Sequence, residues 1–383
     1  MIPYSKQSID SSDIEAVTEA LRCALITQGE IVPRFESAVA ATVESKHAVA
    51  VASGTAALTL AYRALGVADG SLVWTVPNSF VATANAALYC GARVDFVDID
   101  PTTWNLSIPA LEAKLQKAQE VGRLPDVLSV VHFGGLSCDM ESVAALAAQY
   151  RFKVVEDAAH ALGGSYKNRP IGCCRWSDVA TFSFHPVKSI TTGEGGMVVT
   201  NDPRIADRAT LLRSHGISRR PETWSAPHEG AWYYEQLELG WHCRITDFQA
   251  ALGVSQLKRL PEFMRERRAI ADQYTRAFAG TGIGVRLIES VDESANHLFV
   301  IHLRERAGRR GALFDALRSR GIGVNVHYIP IHTHPFYRQL GFEVGMFPES
   351  ERFYAGALSL PIYPGLQAAE QDYVIESVLA LLD

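Results

Sequence analysis

No apolar run in the 383-residue chain approaches membrane-spanning length, so a transmembrane helix is not expected. The stretch Met1-Ile2-Pro3-Tyr4-Ser5-Lys6 lacks a basic segment followed by an apolar one, and no signal peptide is expected either. Cysteine is sparse. The six residues Cys23, Cys90, Cys138, Cys173, Cys174 and Cys243 show no CxxC spacing, a pattern that argues for reduced thiols rather than a disulfide framework. Basic charge is not in excess: the net charge is −6, which gives no support to nucleic-acid binding. Internal repeats, low-complexity tracts and linkers are also missing. These absences leave a soluble cytoplasmic protein that binds neither nucleic acid nor membrane.

What is present is ample material for a core, with 48% hydrophobic residues. The length exceeds the usual single-domain range and predicts one large and one smaller domain. Short apolar runs at His47–Ala52, Leu72–Val76, Val94–Val97, Val127–His132, Lys153–Glu156, Val179–Phe184 and Met197–Thr200 read as strands. Ala-rich stretches with helical spacing, such as Thr55–Leu65 and Met140–Gln149, lie between them. The alternation predicts an α/β fold, a mainly parallel sheet sandwiched by helices, with Gly195–Thr200 as the antiparallel member. Pro203–Trp241 reads as a helix followed by loop. A long helix over Asp247–Arg268, kinked or broken at Pro261, joins the body to the second domain. That domain is expected to hold strands at His297–Leu303 and Gly323–Tyr328 and helices over Arg309–Arg320 and Ala368–Leu382. The division is placed at 1–250 and 251–383.

The chemistry concentrates in Phe182-Ser183-Phe184-His185-Pro186-Val187-Lys188-Ser189-Ile190-Thr191-Thr192-Gly193-Glu194-Gly195-Gly196. A lysine just after an apolar strand, with a strand Ser before it and a Gly-rich turn beyond, suits a Schiff base to a phosphorylated aldehyde. Upstream, the strand Val154-Val155-Glu156-Asp157 ends in a carboxylate. Pyridoxal phosphate needs such an acid at its ring nitrogen. Strand alternation sends Glu156 to the opposite face, so only one of the two acids need face the cofactor; Asp157 is either that acid or an N-cap for the segment that starts at Ala158. Ser53-Gly54-Thr55-Ala56 opens a helix after a strand and supplies N–H groups for a phosphate. Together these residues predict a pyridoxal 5′-phosphate enzyme. Phe80 is either a stacking partner for the ring or a core residue, and periodicity does not separate the two. His327, His332 and His334 fit no zinc spacing, and no metal is expected; their Pro-containing segment reads instead as a loop over the substrate cleft.

In this order the motifs resemble the sugar aminotransferases of the DegT/DnrJ/EryC1/StrS family, which have the type I (aspartate aminotransferase-like) fold. The resemblance takes in Thr27-Gln28-Gly29, Ser53–Leu58, Phe80–Gly91, Glu156–Gly163, Phe182–Gly196, Arg244–Gly253, His327–His332 and Leu360–Gly365. Within the family, Tyr4–Gln7, His185–Lys188 and Asn325–Pro330 look most like the pseudaminic acid pathway 4-aminotransferases. These act on a UDP-linked 4-keto-6-deoxy-N-acetylamino sugar. The resemblance implies L-glutamate as amino donor, a ping-pong reaction and a homodimer with shared active sites. It implies that Lys188 carries the Schiff base and moves protons. Asp157 would bind the pyridine nitrogen, and Phe80 would stack on the ring. Gly54, Thr55 and Ser183 would hold the phosphate, with Ala56 beside them. His160, often Gln in the family, would contact the cofactor's phenolic oxygen side. Tyr4, Thr27, His185, His327 and Tyr328 would bind substrate.

Two comparisons with relatives sharpen the expectation. Those that dehydrate sugars carry His where this chain has Lys188, which argues against a lyase. Many others have an Asn that reaches the partner's cofactor phosphate, where this chain reads Gly240-Trp241-His242-Cys243-Arg244. His242 would take over that contact. Aminotransferases for 4-keto-arabinose or perosamine-type sugars share nearly all these residues, so the acceptor sugar stays open at this point.

Overall fold

The computed structural model describes residues 1–225, 230–286 and 294–382. Its centre is a seven-stranded sheet of β1 (His47–Val51), β2 (Leu72–Thr75), β3 (Arg93–Phe96), β4 (Val127–Val131), β5 (Lys153–Asp157), β6 (Val179–Ser183) and β7 (Gly196–Thr200). The spatial order is β1-β7-β6-β5-β4-β2-β3. Only β7 runs against its neighbours, pairing antiparallel with both β1 and β6. The other six strands therefore point one way, and their C-terminal ends share one edge of the sheet. In open α/β sheets that edge is where ligands bind.

Strand residues alternate between two apolar layers. Val49, Val51, Val155 and Val179 face a core shared with α3 (Gly54–Ala64), α4 (Ala82–Tyr89) and α7 (Pro203–Arg213). Ala50, Ala180 and Phe182 face the other side, with α2 (Ile31–Thr42) and the long α8 (Asp247–Phe278). On that same side, α5 (Ile108–Glu120) and α6 (Met140–Tyr150) cover β4 and β5. The expected sandwich is observed, with the antiparallel strand where the sequence placed it. Within 203–241 the loop also contains a two-residue ladder, Ile217–Ser218 with Glu235–Gln236.

The C-terminal part carries a three-stranded antiparallel sheet of β8 (Gly284–Val285), β9 (Phe299–His302) and β10 (Ala357–Leu360). Helices α9 (Arg310–Ser319) and α12 (Ala368–Leu382) and the far end of α8 close its core around Ile301, Leu317, Leu358, Val374 and Tyr274. Helix α8 is not broken at Pro261: it runs 32 residues with the proline inside. A proline within a helix costs about 3 kcal/mol. Leu257, Leu260 and Phe263, buried on either side, offset it at roughly 1.5–3 kcal/mol each. The expected strand over Gly323–Tyr328 is reduced to one isolated bridge, Asn325 with Ser359. Beyond it the segment leaves the small sheet and enters the cavity described next.

Candidate active site

The C-terminal ends of β1, β5 and β6 open into a cavity of about 550 Å³. Tyr4, Gly54, Thr55, Phe80, Asp157, His160, Ser183, His185, Lys188, His327 and Tyr328 all line it, although the sequence scatters them from position 4 to 328. Three expected residues lie outside the lining. Ala56 sits one position deeper in α3, where its N–H donates to the capping Ser53 side chain at 3.1 Å. Thr27 bridges to Thr246, and His242 is exposed, bridged to Ser214.

Helix α3 begins directly after β1. Its Ser53 cap satisfies Ala56 and leaves the N–H groups of Gly54 and Thr55 at the cavity wall, with the positive end of the helix dipole behind them. Gly54 is required by contact rather than by dihedral angle. A Cβ there would stand 2.9 Å from the Ser183 Cβ. Glycine at 196 is needed similarly, since a Cβ would run into the Ser53 carbonyl oxygen. The two glycines bring the helix N-terminus against the Ser183 hydroxyl, a donor set suited to a phosphate.

Asp157 is buried at the end of β5. Its Oδ2 accepts from the Thr83 hydroxyl at 2.6 Å and its Oδ1 from the Ala159 N–H at 3.2 Å. Glu156 does point the other way, accepting from Ser177 at 2.5 Å and pairing with His132 at 2.8 Å. Lys188 lies on the loop beyond β6. Burial drives its pKa from 10.5 down to about 8, opposed by the charge of Asp157. The lysine is therefore neutral in a useful fraction near physiological pH, as a nucleophilic amine must be.

Histidine and tyrosine side chains make up much of the remaining wall. His327 Nδ1 is 2.8 Å from the Ser359 hydroxyl, and burial, then the charge of Lys188, lower its pKa to about 3. Burial, then Lys188, also holds His160 well below the usual histidine value. Burial raises the Tyr4 phenol, with a hydrogen bond to Asn325 acting against it. Phe80 is 58% exposed and presents its ring to the cavity, which separates it from a core phenylalanine. His332 is absent from the cavity; it is buried against Glu351 at 2.9 Å.

The model of the DegT/DnrJ/EryC1/StrS aminotransferase family matches residues 7–379. The chain belongs to that family. This aminotransferase is 40% identical over 383 residues to the spore coat polysaccharide biosynthesis protein SpsC of Bacillus subtilis, covering 98% of this chain and 96% of that one. It is 38% identical over 386 residues to the UDP-4-amino-4,6-dideoxy-N-acetyl-beta-L-altrosamine transaminase of Campylobacter jejuni, covering 100% and 98%. Among solved structures it resembles Helicobacter pylori PseC, an aminotransferase of pseudaminic acid biosynthesis, with a TM-score of 0.90 and 33% identity over 99% and 98% of the two chains. The Streptococcus pneumoniae sugar aminotransferase Spr1654, in its pyridoxal phosphate form, gives 0.90 at 28% identity over 99% and 98%. The fold is thus the type I fold, and the cofactor is pyridoxal 5′-phosphate.

Several residues of this aminotransferase's cavity were not singled out by sequence. Ser79 and Thr83 sit either side of Phe80, and Asn325 opens the His327 motif, so their neighbours were a usable signal. His297 also lines the cavity, its ring centroid 4.4 Å from that of His160. A lone histidine before a strand gave no signal.

Proposed function

We propose that this aminotransferase moves the amino group of L-glutamate onto the C4 ketone of a UDP-linked 4-keto-6-deoxy-N-acetylamino sugar, as in a pseudaminic acid type pathway. The observation that carries the chemistry is one cavity holding a buried carboxylate, Asp157, and a desolvated amine, Lys188, on the C-terminal edge of the sheet. Full-length similarity to relatives named for that transamination supports the acceptor class.

The cavity fits pyridoxal phosphate. The N–H groups of Gly54 and Thr55 with the Ser183 hydroxyl suit its phosphate, Asp157 suits its ring nitrogen, and the Phe80 ring suits its face. When bound, the cofactor is the electron sink for the bond broken at the amine-bearing carbon. Lys188 takes a proton from that carbon and returns one nearby. Asp157 keeps the ring nitrogen protonated by placing a negative charge beside it. Tyr4, His185, His327 and Tyr328 line the wall that receives the substrates, and Thr27, outside that lining, joins them in binding substrate.

The working unit is a homodimer in the cytoplasm. Exposed Ile14, Leu21, Leu25 and Ile26, and exposed Trp232, Tyr234, Leu237 and Leu239, offer apolar surface for a second copy. His242, exposed and outside its own cavity, then reaches the cofactor phosphate of the other copy. Residues 1–250 form the large cofactor-binding domain and 251–383 the small one, α8 spanning the division. Among the described residues no helix is long and apolar enough to cross a membrane.

The test is amination of a panel of nucleotide-linked keto sugars with L-glutamate, following 2-oxoglutarate and the amino-sugar product. Turnover of UDP-4-keto-6-deoxy-N-acetylamino sugars is expected. Turnover confined to 4-keto-arabinose or perosamine-type acceptors would overturn the acceptor while leaving the amine chemistry in place.

A further inference from the structure

His160 and Tyr328 lie 168 residues apart and meet at the cavity wall, His160 Nε2 to the Tyr328 hydroxyl oxygen at 3.1 Å. The other ring nitrogen, Nδ1, faces the backbone N–H of Gly134 at 3.2 Å. An N–H donates, so Nδ1 must offer its lone pair, and the proton of a neutral imidazole then resides on Nε2. Nε2–H in turn donates to the Tyr328 oxygen. The phenol's own hydrogen has no other hydrogen-bond partner among the described residues. It is left to point into the cavity that Tyr328 lines.

The backbone is shaped for this contact. Gly134 and Gly135 follow β4 with φ of 63° and 103°, the left-handed region that glycine adopts without strain. A Cβ on Gly135 would stand 2.9 Å from the Asn296 nitrogen and 3.1 Å from the His160 carbonyl oxygen. The tight turn thus seats the Gly134 N–H against the ring. Burial first, and then the charged or titratable neighbours Lys188, His327 and Arg286, all disfavour an imidazolium at His160. His297 packs against its face. Burial, then the charge of Asp157, keeps the Tyr328 phenol protonated.

We propose that Gly134, His160 and Tyr328 form a one-way hydrogen-bond chain that presents the Tyr328 hydroxyl hydrogen to an oxygen of the bound cofactor. Tyr328 is the group that touches the ligand, and His160 is a positioning residue behind it. This reassigns the contact that the family resemblance gives to His160 itself. The identity of the ligand rests on the pyridoxal phosphate reading; the direction of the chain does not.

Two measurements test the chain. In holoenzyme labelled with ¹⁵N-histidine and assigned through His160→Gln, the His160 signals should show an unprotonated Nδ1 and a protonated Nε2, unchanged from pH 6 to 9. An imidazolium or the Nδ1–H tautomer in that range would overturn the proposal. The second is a double-mutant cycle on pyridoxal phosphate affinity with Tyr328→Phe, His160→Phe and both together. Each single change should weaken binding by about tenfold, the worth of one hydrogen bond, and the double change by no more than either single one. His160→Gln, which keeps a side-chain N–H, should lose less than His160→Phe. Additive losses, or a His160→Phe variant that binds as the unmutated protein does, would show that the residues act separately. Failure of the unmutated protein to bind pyridoxal phosphate would sink the cofactor reading instead, and the tautomer result would still decide the chain.

Discussion

The Thr83 hydroxyl donates to Asp157 Oδ2 across 2.6 Å, and the same hydroxyl is 2.8 Å from that of Ser79. This contact locks one oxygen of a buried carboxylate from the first turns of α4, while the Ala159 N–H holds the other from behind. Asp157 is thereby fixed at the C-terminal edge of the sheet, its orientation set by α4 on one side and by the turn that follows β5 on the other. A carboxylate that must meet a ring nitrogen needs that fixity, because a misplaced one forfeits both the hydrogen bond and the charge interaction.

Asp157→Asn is expected to slow proton abstraction by about 100-fold or more, since the amide supplies no charge to hold the ring nitrogen protonated. Thr83→Val should weaken the same function by about tenfold, through one lost charge-assisted bond. Single-turnover rates with glutamate measure both; rates equal to the unmutated enzyme's would remove Asp157 from its role.

Lys188→Ala should abolish turnover. Reduction with borohydride should attach the cofactor covalently to the unmutated chain but not to the variant, which intact mass spectrometry reads directly. Attachment at another lysine would contradict the assignment.

The depressed lysine gives a pH signature. In cofactor-free protein the Lys188 amine is protonated below pH 8 and neutral above, so its labelling by an amine-reactive reagent should rise with pH and reach half-maximum near 8. At pH 7 about 10% is neutral, against ~0.03% for an unperturbed lysine. Labelling that keeps rising tenfold per unit through pH 10 would show an amine that is not desolvated.

Gly54→Ala places a methyl 2.9 Å from the Ser183 Cβ. We expect about 1–3 kcal/mol of destabilisation from overpacking, and weaker cofactor binding as helix and strand part. Thermal unfolding together with a cofactor titration measures the two; unaltered affinity would mean that the phosphate is seated elsewhere.

His242→Ala, at an exposed position, should leave folding intact and increase cofactor loss from the dimer. Dissociation rates measured alongside gel filtration distinguish a phosphate contact from a dimer defect. An unaltered rate in an intact dimer would show that His242 holds no phosphate.

How much of this was legible in sequence follows from how local each signal is. The seven strands and the reversal of β7 came from short apolar runs, because period and length are local properties. Pro261 does not break its helix because Leu257, Leu260 and Phe263 hold it against a distant sheet, which outweighs local propensity. Gly323–Tyr328 misled because its apolar alternation suits a strand, yet within it only Asn325 forms a β-bridge, to Ser359. In the site, Lys188, Asp157 and the opposed Glu156 were readable from strand ends. The links between Thr83 and Asp157, and between His160 and Tyr328, span 74 and 168 residues and leave no periodic trace.

The most direct test of the central claim is the absorption spectrum of the purified protein before and after addition of L-glutamate. The account predicts a yellow protein whose visible band fades as a near-ultraviolet band grows, then returns on addition of a UDP-linked 4-keto-6-deoxy-N-acetylamino sugar. A protein that stays colourless with added pyridoxal phosphate, or a yellow one indifferent to glutamate, would contradict it.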